Sequence, residues 1–144
     1  MVLNFREISL AVTMTLMIAT YLPTNATAAE TKIDTKDTLT QCYDEIGDAP
    51  RTELSACFDK KEKQAATALE LKIEEVRKEI TDTDSSGSKD ALASLTKSQE
   101  TFEIFKKAEC SRVRDAAMGG SGADDEARAC AIDLTIWRTQ RLSN

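Results

Sequence analysis

Four cysteines constrain this chain more than any other feature, because of where they stand relative to its turn-forming residues. Cys42 and Cys57 are placed symmetrically about Asp48-Ala49-Pro50, and Cys110 and Cys130 each lie ten residues from Gly120. In an antiparallel helix pair, residues equidistant from the turn come level, which is the condition for a disulfide's Cα separation of roughly 4.4–6.8 Å. Of the three possible pairings, this selects Cys42–Cys57 and Cys110–Cys130. Each bridge closes a loop of about 15 to 20 residues and contributes roughly 3 kcal/mol in the chain-entropy view. A zinc site would present closely spaced cysteine pairs, and a redox pair would be CxxC; neither spacing occurs, so no metal or other cofactor is expected.

Bridges of this kind need an oxidising compartment, and the N-terminus supplies an address. A mostly apolar run from Ile8 to Leu22 follows Arg6, Pro23 ends it, and Ala26-Thr27-Ala28 offers the small residues of a signal-peptidase site. The run is shorter and more hydroxylated than a bilayer span of roughly 20 apolar residues. Residues 1–28 therefore read as a cleaved signal peptide and 29–144 as a single domain. No cysteine near the cleavage region could carry a lipid, so no membrane anchor is expected once the signal is removed.

The chain has 19 Lys plus Arg, 25 Asp plus Glu, a net charge of -6 and no histidine. An acidic balance argues against nucleic acid, whose phosphates need a basic footprint. Without imidazole, a hydrolase would need paired carboxylates with one kept protonated. The acidic residues here lie in runs beside lysines, which reads as solvated helix surface. No P-loop, dinucleotide fingerprint or EF-hand spacing occurs. The chain is not expected to be an enzyme.

Apolar spacing predicts an all-α fold: a disulfide-stapled antiparallel bundle of one short and three longer helices. Leu39, Cys42, Tyr43 and Ile46 form the stripe of the short helix, with Thr38 or Asp37 able to cap it. A second helix is predicted over Arg51 to Thr81, striped by Leu54, Cys57, Phe58, Ala65, Ala68, Leu69, Ile73, Val76 and Ile80, with Glu74 and Lys78 at a favourable i, i+4 spacing. Residues 82–88 break it, and Ser88 is placed to cap a third helix, Lys89 to Ala117. One glycine of Gly119-Gly120-Ser121-Gly122 can take the left-handed position that ends this helix. Ser121 is then placed to cap the fourth, with Asp124 closing a capping box. Phe102, Phe105 and Trp137 are expected in the core. Gln99 is expected to satisfy groups in the helix interface, and Lys106 and Arg138 to pair with carboxylates at the bundle edge.

The arrangement of these residues resembles the LprI-like lysozyme-inhibitor domain. Cys42 and Thr52-Glu53-Leu54-Ser55-Ala56-Cys57 correspond to its first part, and Leu69-Glu70-Leu71-Lys72-Ile73 stands where the family has Leu-Asn-x-x-Tyr. Gln99, Phe102, Phe105, Lys106 and Cys110 follow the family's Gln, Trp, Tyr-Arg, Cys order, with Phe102, Phe105 and Lys106 as the replacements. Gly119-Gly120-Ser121, Cys130, Leu134-Thr135, Arg138 and Leu142 match its closing pattern. The resemblance runs from about Cys42 to Leu142. It implies a bacterial periplasmic or secreted binding protein, with a basic lysozyme-type enzyme or another envelope protein as partner. The second partner would go with a structural or interaction role and no inhibition. The most protruding acidic candidate for a partner contact is the turn and helix start at Ser121, Asp124, Asp125 and Glu126; the loop at 82–87 is the second.

Overall fold

The helical periodicity becomes four α-helices in the computed structural model, which describes residues 36–83 and 85–143. The expected signal segment, 1–28, and Asp84 of the second candidate loop lie outside the described residues. Helix α1 spans Thr38–Ile46, a 3-10 turn Arg51–Glu53 leads into α2 at Leu54–Asp82, and α3 (Ser88–Ala116) and α4 (Ala123–Arg141) complete the order. No strand occurs among the described residues. Both predicted bridges are present, with Cα separations of 5.7 Å for Cys42–Cys57 and 5.6 Å for Cys110–Cys130.

Helix α1 is nine residues long, too short to persist alone in water. Three things hold it. Asp37 is the N-cap, its carboxylate accepting the Thr40 N–H at 2.7 Å. The Cys42–Cys57 bridge clips it antiparallel to α2. Asp133 of α4 accepts both the Thr38 N–H at 3.1 Å and the Thr38 hydroxyl at 2.5 Å. Gly47, with φ of 54°, turns the chain out of the helix while its N–H still bonds the Tyr43 carbonyl.

The core gathers Cys42, Leu54, Cys57, Phe58, Ala65, Ala129 and Ile132, with Leu39 and Ile46 packed at its margin. These residues come from α1, the first half of α2 and the middle of α4. Helix α4 packs on all three other helices, whereas α2 and α3 meet each other less than each meets α4. Length explains this. Helices α2 and α3 have 29 residues each and α4 has 19. At 1.5 Å per residue, the long pair outreaches α4 by about 15 Å. Where α4 no longer covers them, Val76, Ile80 and Leu92 are only half-buried.

Two expected caps are not formed. Gly122, already in the right-handed helical region, precedes α4 with no side-chain cap bond. A capping side chain works from the extended backbone region; here the turn is closed instead by the Ala123 N–H on the Gly120 carbonyl. The Ser121 hydroxyl is left to accept from Arg51 at 3.1 Å. Ser88 is likewise inside α3 rather than before it, and its hydroxyl donates to the Ile80 carbonyl of α2 at 3.0 Å. The end of α3 departs from the expected single left-handed glycine: Met118 (φ 47°) and Gly119 (φ 78°) both adopt that region. At Gly120 the chain is close-packed, since a Cβ there would lie 3.1 Å from the Ala117 carbonyl oxygen, a tight approach. On α2, Glu74 pairs with Arg77, and Lys78 with Asp82.

Candidate functional site

The acidic start of α4 is less free than its sequence implies. Asp124, Asp125 and Glu126 all lie in the first turn, where the helix's positive end favours carboxylates. Asp125 is engaged from outside: Arg51 donates to it through Nε at 2.9 Å and Nη2 at 2.5 Å. The same guanidinium reaches Ser121. Hydrogen bonding to Asp125 raises the Arg51 pKa further. Arg51 therefore fastens the α1–α2 connection to the α3–α4 turn. Asp124 projects into solvent and Glu126 is half-buried.

A second assembly lies along the α3–α4 seam. The two helices run antiparallel, so Cys110 meets Cys130, Lys106 meets Thr135 at 3.4 Å, and Gln99 meets Arg138 at 3.3 Å. Gln99 is half-buried and bridges, accepting from Arg138 and donating to Glu103 at 3.1 Å. Lys106 pairs with Glu103 at 2.8 Å. Arg138 departs from expectation. Its partners are the neutral Gln99 and the Ser98 hydroxyl at 2.8 Å, and its guanidinium sits 5.6 Å from the Phe102 ring centre.

The aromatics divide. Phe102 is buried, with its ring 6.4 Å from that of Trp137. Phe105 and Trp137, expected in the core, are 49% and 47% exposed. The reason is angular. Successive helix residues turn by about 100°, and α4 points Ile132 and Thr135 inward, so Trp137 lies on the outer side. With Phe105 it overhangs a shallow depression of about 480 Å³, edged by Lys97, Ser98, Thr101 and Arg138.

A family model described as "Lysozyme inhibitor LprI" matches residues 26–142, more than half of the chain. The chain belongs to the LprI family. No curated protein and no solved structure matches it. The positions that carry this LprI-type pattern between Gln99 and Cys110, and between Cys130 and Arg138, are the two sides of the α3–α4 seam. In this LprI protein the pattern thus marks a helix interface closed by a bridge at one end and by the Arg138–Gln99 contact at the other.

The LprI chain also has a groove of about 380 Å³ where α2 and α3 splay over α4, floored by Ala65, Leu69, Ile73 and Ile132 and bordered by Glu70 and Lys106. Among the described residues there is no cluster of three or more acidic or sulfur ligands placed to hold a metal, and no helix long and apolar enough to cross a membrane. Sequence reasoning did not find Arg51, Arg128 or Asp133. Arg128 on α4 donates to Asp59 at 2.5 Å and Glu62 at 3.3 Å on α2 while lying over the Phe58 ring. Its partners are 66 or more residues away, and no local spacing signals such pairs.

Proposed function

We propose that this LprI-family protein acts outside the cytoplasm, in the periplasm or as a secreted protein, as a binding protein that inhibits a lysozyme or related cell-wall muramidase. It has no catalytic role of its own in this reading. The family match across residues 26–142 is the observation that carries it. Two bridges and no free cysteine among the described residues fit an oxidising compartment. A net charge of -6 favours encounter with basic enzymes, because complementary charge raises association rates more than it deepens affinity.

The acidic start of α4 serves as a steering element in this scheme. Asp124 and Glu126 present charge to an approaching partner, while Asp125 and Ser121 hold the turn through Arg51. The deciding experiment is a cell-wall lysis assay. A panel of purified basic muramidases is mixed with the disulfide-intact protein, and lysis is followed by turbidity. Saturable inhibition of at least one enzyme is expected; full lysis by every enzyme at micromolar excess of the protein would refute the proposal for those targets.

A further inference from the structure

The outer face of the α3–α4 seam is built unlike the rest of the surface. Phe105 and Trp137 stand half-exposed around one depression, whose lining also includes the buried Phe102, its ring 6.4 Å from that of Trp137. Their margin is cationic in a chain that is acidic overall. Arg138 bonds only neutral oxygen atoms and the Phe102 ring, and Arg141 lies 6.0 Å from the centre of the Trp137 ring. Among the described residues neither arginine is in an ion pair, whereas Arg51, Arg77, Arg112, Arg114 and Arg128 all are. The negative end of α4 accounts for the sign of this charge. It does not account for two large aromatic rings left facing water beside it.

Half-exposed aromatics next to arginines form the composition that dominates binding energy at protein interfaces. The charge selects the occupant. A two-fold pair of this chain through this face would bring Arg138 and Arg141 against their own likeness, and a purely apolar partner would strand both guanidiniums. A cleft that carries carboxylates beside subsites for sugar rings, whose C–H faces stack on aromatic rings, satisfies both halves of the face. Glycoside hydrolases have such a cleft, because a pair of carboxylates flanks the bond they cut.

We propose that the Phe105–Trp137–Arg138 face is the surface that enters the substrate cleft of the inhibited muramidase, with the rings covering sugar subsites and Arg138 and Arg141 meeting the cleft carboxylates. This rests on the inhibitor reading given above. Acidic residues at the start of α4 set the rate of approach, and the aromatic–arginine face at its other end supplies the contact.

The test uses the disulfide-intact protein against the enzyme that the lysis assay identifies. Trp137→Ala and Arg138→Gln are each expected to weaken inhibition by at least about 30-fold, the scale of an interface hot spot. Leu71→Ala, a change to an exposed residue of α2, is expected to leave it unchanged. Arg141→Gln alters a side chain that only overlies a ring, so its expected loss of several-fold reads the face even if Trp137→Ala disturbs folding; circular dichroism checks each variant. Chitotetraose bound in the enzyme cleft is expected to compete with the protein. Wild-type inhibition by Trp137→Ala and Arg141→Gln together, or inhibition indifferent to chitotetraose, would overturn this assignment and leave the inhibitor reading standing. Failure of the unaltered protein to inhibit any muramidase removes both. Trp137 is the only tryptophan, so quenching of its fluorescence by chitotetraose in the isolated protein would assign the face to glycan itself and refute the proposal.

Discussion

Asp37 carries a small, measurable part of this protein's pH dependence. Its carboxylate is nearly solvent-exposed, and the Thr40 N–H, the largest influence on it, holds its pKa below the ordinary aspartate value. A group whose folded pKa is depressed stabilises the fold above its unfolded pKa and loses that contribution as pH falls through the folded value. The cap is therefore fully present above about pH 4 and fades below it. Asp37→Ala is expected to cost about 1 kcal/mol at neutral pH. Asp37→Asn should keep most of the cap and remove this group's share of the acid sensitivity, because an amide also accepts the N–H and does not titrate in this range. Urea unfolding of the three proteins at pH 7 and pH 3 would check both statements. Asp37 was legible in the sequence as one of two candidate caps. Ser121 was equally plausible on paper, and it failed because the chain around Gly122 is already helical and Arg51 claims its hydroxyl.

At the scale of elements, α4 organises the bundle although it is the shortest of the three long helices. It contributes Ala129 and Ile132 to the core, anchors α1 through Asp133, fastens α2 through Arg128, and meets α3 along the bridged seam. The Cys110–Cys130 bridge closes 20 residues of chain separation, so a Cys110→Ser, Cys130→Ser double variant is expected to lose about 3 kcal/mol. The core is built largely from α1, α2 and α4, so this loss should fall mainly on the docking of α3. Guanidinium unfolding gives the magnitude, and hydrogen exchange should find the weakened protection concentrated along α3. Uniform loss of protection across all four helices would contradict that division. The helices themselves were readable as elements, with bounds displaced by only a residue or a few, since their periodicity is a local property. Their unequal reach was not, and it leaves the far stripes of α2 and α3 half-buried.

Across the whole molecule, charge is distributed along α4 with carboxylates at its start and Arg138 and Arg141 in its last turn. Substituting Asp124→Asn with Glu126→Gln is expected to lower the association rate with a basic muramidase several-fold and to flatten its salt dependence, with little change in dissociation. Stopped-flow measurements over a range of ionic strength would read this directly. An unchanged rate and salt slope would place the steering on other carboxylates of this acidic surface. Arg51 and Asp125 are unsuitable for that experiment, because removing either would loosen the turn as well as the charge.

Spacing within the chain was enough to specify four helices, the turns between them and the two bridges, since each depends on residues near one another in sequence or equidistant from a turn. The tertiary structure decided which side chains those helices would bury and which they would leave in water. Phe102 and Phe105 sit three residues apart with similar chemistry, yet only Phe102 is buried, because α4 packs on the side of α3 that Phe102 faces and Phe105 lies round the helix from it. Thr38 and Asp133 meet across 95 residues for the same reason: helix packing brings them together, and packing has no period that a single strand of sequence displays.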